Sequence, residues 1–154
     1  MLCLPEEKET NMPRINTITL NITTGTGGPA GTAGTRGDVY LGVCGREFYA
    51  DTSITENEDF VAGSTTEFVF GDGANVGNPG INDPRQHSLF TEDVKHFPTY
   101  IRFQPRSPED QWLMVRALMS FNNTINPTWD TASWLGRSIW LGNTSGLYVH
   151  LRLV

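Results

Sequence analysis

A chain of 154 residues with a formal charge of −6 and 38% hydrophobic residues has the size of one domain, able to bury a core without disulfide staples. Its acidic balance excludes indiscriminate nucleic-acid binding, because the long-range field repels a polyanion. No stretch of about 18 apolar residues exists, so no transmembrane segment is expected, and Cys3 and Cys44 are too few for a disulfide scaffold and read as free thiols.

Residues 1–13 read as a polar, flexible leader with Glu6, Glu7 and Glu9 and no apolar core of a signal peptide, so a cytoplasmic or peripheral-membrane location is expected rather than secretion. Residues 14–154 read as a single domain. Arg14 to Thr23 alternates with a period of two and predicts the first strand. The segment that follows holds Gly25, Gly27, Gly28, Gly31, Gly34 and Gly37, which permit tight bends, and then stops at the apolar, β-branched run Val39 to Val43, the second strand. A bend of this kind with Asp38 at the strand start either aims carbonyls and a carboxylate at a hard cation or is simply a well-made turn.

Gly45-Arg46 is expected to turn a short hairpin into Glu47 to Ala50. Asp51 to Asp59 is an acidic loop with Glu56 and Glu58, Phe60 to Ser64 returns to the core, and Thr65 to Phe70 is the next strand. Gly71 to Phe97 is long for a bare connection and rich in turn residues. Tyr100 to Gln104 reads as a strand, and Trp112 to Phe121 as a strand in preference to a helix, because Pro108 and Asn122-Asn123 bound it to strand length. Asn122 to Gly136 is a loop with Trp129 and Trp134, and Ser138 to Leu141 with Leu147 to Val154 reads as a terminal hairpin. Trp112 and Trp140, on strands, are expected in the core. About eight strands without a convincing amphipathic helix predict an all-β fold, an eight-stranded antiparallel β-sandwich.

Ala33-Gly34-Thr35, Val39-Tyr40-Leu41, the stretch Phe60 to Phe68 with its Gly63-Ser64, and Trp112 after a proline-containing turn occur in an order and spacing that resembles the PLAT family, also called the lipoxygenase-homology or LH2 domain. The resemblance covers roughly Thr17 to Leu153. It implies a non-catalytic interaction module that meets a membrane lipid surface or a protein partner through loops at one edge of the sandwich, in several members through calcium. The calcium role would map onto the Gly34-Thr35 backbone, onto Asp59, and onto Glu109 or Asp110, with Asp38 set to compensate for Arg36, whose charge opposes a cation. Trp129 and Trp134 are the expected membrane or partner contacts, since an indole suits an interface that is apolar on one side and wet on the other.

No catalysis is expected. His87, His96 and His150 are scattered, and no serine sits in a nucleophile-elbow setting. The glycine segment lacks the lysine of a phosphate-binding loop and no helix follows it. A different class of reading is a binding protein for a small lipid or sugar, using Phe90, Phe97, Trp129 and Trp134 around an apolar pocket.

Overall fold

The computed structural model describes residues 12–28, 32–52, 58–125, 127–131 and 136–154. Among these residues the chain forms ten strands: β1 (Thr17–Thr24), β2 (Asp38–Val43), β3 (Arg46–Tyr49), β4 (Thr65–Gly71), β5 (Tyr100–Gln104), β6 (Gln111–Phe121), β7 (Thr128–Asp130), β8 (Ile139–Gly142), β9 (Tyr148–His150) and β10 (Arg152–Leu153), with one 3₁₀ helix at Thr91–His96. They make two antiparallel sheets. One has the order β10-β7-β6-β1-β4 with β8 also pairing to β6, and the other is β3-β2-β5-β9. The fold is a β-sandwich.

Alternation builds the core. Ile18, Leu20 and Ile22 of β1 are buried with Phe68 and Phe70 of β4 and Ala117, Met119 and Phe121 of β6, and the second sheet contributes Val39, Leu41, Phe48, Ile101, Phe103 and Val149. At the end nearest the glycine segment, Trp112 is fully buried against Phe60 and Phe103 at ring distances of 5.2 and 5.7 Å. Its indole N–H donates to Thr24 Oγ1 at 3.0 Å, which removes the cost of an unpaired buried donor. Trp112 to Phe121 is thus part of a strand, the longest among the described residues. Its alternation breaks at Val115-Arg116, opposite the register shift between Thr23 and Thr24, as a bulge requires.

Four expectations change. The hairpin turn is Cys44-Gly45, one residue earlier than expected, with φ of 53° and 74°, because a two-residue turn matching strand twist needs positive φ at both positions. The loop after Asn122 contains β7. The terminal hairpin closes only at its turn, through one antiparallel bridge between Gly142 and Gly146, and does not extend into paired strands: β8 pairs with β6, β9 with β5 and β10 with β7, so the closing segment serves both sheets. Apolar alternation states that a strand has a buried face and leaves open which sheet it joins. Trp140 is half-buried and lies over Gly28 instead of entering the core.

The Gly71 to Phe97 connection covers the β3 edge. Arg46 Nη1 donates to the carbonyls of Asp83 (2.8 Å) and Gln86 (3.0 Å), and Nη2 to that of Ile81 (2.9 Å), while the Tyr49 N–H donates to Asn82 Oδ1 (2.9 Å). An edge strand so occupied is closed to pairing with another chain.

Candidate functional site

Three loops converge beside Trp112. The glycine segment runs along the start of β6, with Gly25 N–H donating to Leu113 O and Leu113 N–H to Ala33 O, both at 2.8 Å. Thr35 N–H then donates to Phe60 O at 3.0 Å, which draws Gly34 against the second loop. A Cβ on Gly34 would fall 2.7 Å from Phe60 O and 2.9 Å from Ala62 N, so only glycine allows this approach. The third loop is fixed by Asp110, whose carboxylate accepts from the buried Thr35 hydroxyl (2.9 and 3.0 Å) and from Arg106 N–H (3.0 Å). Thr35 Oγ1 in turn accepts from Gly37 N–H at 2.8 Å.

The result is a cleft of about 580 Å³ lined by Gly34, Thr35, Arg36, Glu58, Val61, Ala62, Arg106, Ser107, Glu109 and Asp110. Of the expected residues, Gly34, Thr35, Glu109 and Asp110 come together here. Asp38 does not. It lies on the outer face of the four-stranded sheet, where Oδ1 accepts from Tyr49 Oη at 2.8 Å. Asp59 is outside the lining and closes its own loop, accepting from Thr52 Oγ1 (2.6 Å) and Thr52 N–H (2.9 Å). Trp129 is half-buried with its ring edge-on to Phe121 at 4.9 Å, and Trp134 lies outside the described residues.

Sequence reasoning missed Val61, Ala62, Arg106 and Ser107. The signal for Val61 was the turn at Gly63, whose φ of +78° sends the chain back at once, so that Phe60 enters the core while Val61 stays 48% exposed. Phe90, Phe97 and Trp129 make separate contacts: Phe90 with the Arg14 guanidinium at 5.9 Å, Phe97 over Gly45, and Trp129 with Phe121.

The donor set of the cleft is mixed. Exposed Glu58 and Glu109 and the engaged carboxylate of Asp110 share the lining with the exposed guanidinium-bearing residues Arg36 and Arg106. Calcium takes six to eight oxygens and is opposed by cations at short range. Among the described residues no three His, Cys, Asp or Glu side chains stand where they hold a metal ion, and Asp110 already accepts bonds from protein donors. These residues do not compose a preformed calcium cage. The histidines are equally dispersed, with His87 and His96 in the long connection and His150 on β9, all exposed.

No family model matches this chain, and no curated protein matches it. Among solved structures it is similar to the alpha toxin from Clostridium absonum, with a TM-score of 0.58 and 15% identity over 96% of this chain and 34% of that chain. At that identity the likeness concerns the fold alone, a PLAT-like β-sandwich, and this chain spans about a third of the toxin's length.

Proposed function

We propose that this chain is a non-catalytic interaction module that docks its three-loop edge on a lipid surface. The observation that carries the reading is Val61, an exposed aliphatic side chain at the cleft where Arg36 and Arg106 also stand. An aliphatic group beside guanidinium groups suits the boundary between acyl chains and headgroups, where the first enters the apolar side and the others stay with phosphate. The net charge of −6 works against an anionic bilayer at long range, so the contact is made at short range, within the Debye length of about 8 Å. The PLAT-like fold fits this use of a loop edge. Calcium enters the proposal as a modulator recruited by Glu58 and Glu109 and not as a prerequisite.

Co-sedimentation with phosphatidylcholine vesicles, with and without phosphatidylserine, in chelator and in millimolar calcium, tests this. Pelleting in chelator that drops several-fold in Val61→Asp is expected. Pelleting confined to calcium and lost in Glu109→Gln would make cation recruitment obligatory. No pelleting under any condition would end the membrane reading and assign the edge to a protein partner.

A further inference from the structure

The outer face of the four-stranded sheet carries all four tyrosines of the chain, which the loop-edge reading does not use. Register places the side chains in two rows that cross every strand of the sheet. One row is Tyr49, Tyr40, Arg102 and Tyr148, and the next is Glu47, Gly42, Tyr100 and His150. With strands about 4.8 Å apart, each row is roughly 14 Å long.

Gly42 makes room for a ring on this face, against which Tyr148 stands edge-on to Tyr100 at 64°. A Cβ on Gly42 would fall 2.2 Å from the Tyr100 ring carbons, so the missing side chain lets that ring lie down on β2. Glu47 Oε1 then fixes it, accepting from Tyr100 Oη at 2.9 Å. The same carboxylate takes two bonds from Arg102, Nε at 2.8 Å and Nη2 at 2.7 Å, and the guanidinium lies 4.1 Å over the Tyr40 ring. Tyr40 meets Tyr49 at 5.2 Å, and Tyr148, which is 55% exposed, meets Tyr100 at 5.5 Å. Ring orientation and polar edges are thus set before any partner arrives, which lowers the ordering cost of binding.

We infer that this face binds a neutral oligosaccharide. The charge pattern selects the occupant. Arg102 and Glu47 offset one another in the plane, and Asp38 adds a carboxylate that works against phosphate, sulfate or uronate polymers on a chain already at −6. A wholly apolar partner would desolvate Glu47, Arg102 and Asp38 without giving them new bonds. A sugar ring supplies both halves of the match: C–H faces to lie on tyrosine rings, and hydroxyls that donate to carboxylates and accept from a guanidinium. The rows are long enough for a short run of such rings.

Native electrophoresis through gels cast with mixed-linkage β-glucan, xylan, galactomannan or dextran tests the inference, with a plain gel as reference. Retardation by at least one polysaccharide is expected, with apparent affinity about tenfold weaker in Tyr148→Ala, whose side chain is the most exposed of the four. Arg102→Lys keeps the charge but loses the paired bonds and is expected to weaken retardation as well. A melt of each variant separates lost binding from lost folding, and tyrosine ring shifts in the unmutated chain on adding xylohexaose or cellohexaose give a readout that needs no variant. Unaltered mobility in all four gels overturns the inference. So does retardation that both folded variants retain, or a concentration-dependent dimer without polysaccharide that Tyr148→Ala dissolves, which would make a second copy the occupant.

Discussion

Thr35 and Asp110 illustrate how residue type is used at the edge. The hydroxyl of Thr35 accepts from Gly37 and donates to Asp110, and Asp110 also accepts from Arg106, so one carboxylate joins two loops. Asp110→Ala leaves a buried hydroxyl and a backbone donor seeking partners, for a loss of about 1–3 kcal/mol, or roughly 3–10 °C in melting midpoint. Gly34→Ala acts through space instead, since its Cβ meets backbone atoms that cannot yield, and it is expected to destabilise more than Asp110→Asn. Thermal melts of the three variants check both statements, and equal midpoints for Gly34→Ala and the unmutated chain would refute the second. Cys44 makes a chemical prediction. Burial first, and the Asp93 carboxylate second, push its thiol up to about 11. At pH 8 its thiolate fraction is then lower than that of a free cysteine by roughly a hundredfold or more, and iodoacetamide labelling of the folded chain, read by peptide mass, slows in proportion. Labelling as fast as in denaturant would show that the turn opens freely.

Among elements, the long connection and the sheet it shields depend on single cations. Arg46 gathers three carbonyls of the Ile81 to Gln86 stretch, so Arg46→Ala removes the clasp that seats this connection on β3. Faster amide exchange across residues 77–89, with little change in β1 or β6, is the expected result. The pair Glu47 and Arg102 ties β3 to β5 across β2. Bonds from Arg102 in the first place, aided by the Tyr100 hydroxyl and opposed by burial, hold the Glu47 carboxyl below its usual range. The folded pKa is the lower one, so the unfolded chain binds more protons in the window between the two values and stability rises with pH there. The contribution is complete above the unfolded value of about 4.3 and is lost as pH falls through the folded one. Asp83, lowered chiefly by its bond from Arg85, acts with the same sign. Melting midpoints measured from pH 6 down to pH 3 therefore fall less steeply in Glu47→Gln than in the unmutated chain. Parallel curves would mean that the pair contributes nothing to the acid limb.

For the whole molecule, salt acts on the loop edge in two opposite ways. The loop edge joins an aliphatic group to guanidinium groups within an acidic protein, so added salt relieves repulsion from anionic vesicles while it weakens the phosphate contacts. The two effects oppose one another. Pelleting that changes less than about threefold between 50 and 200 mM salt is expected, and a steep loss would show that Arg36 and Arg106 act without help from Val61. Among the described residues no helix is long and apolar enough to cross a membrane.

Period-two alternation and turn residues determined the all-β fold and its principal strands, because side-chain direction along a strand follows from chain geometry alone. The resemblance carried by the short motifs implied one edge for Gly34, Thr35, Glu109 and Asp110, and these four line one cleft. What each carboxylate does there was decided by tertiary contacts. Asp38 and Asp59 read like ligands along the chain, but each found a donor, Tyr49 Oη for the first and Thr52 for the second, and a bond satisfied within the fold is unavailable to local sequence reading. Strand partnership was decided in the same way. Tyr40 and Tyr49 face one another across the local β2–β3 hairpin, whereas Tyr100 and Tyr148 are distant in sequence and join them only because β5 and β9 lie beside β2 in a register that distant burial, and not local pattern, selects.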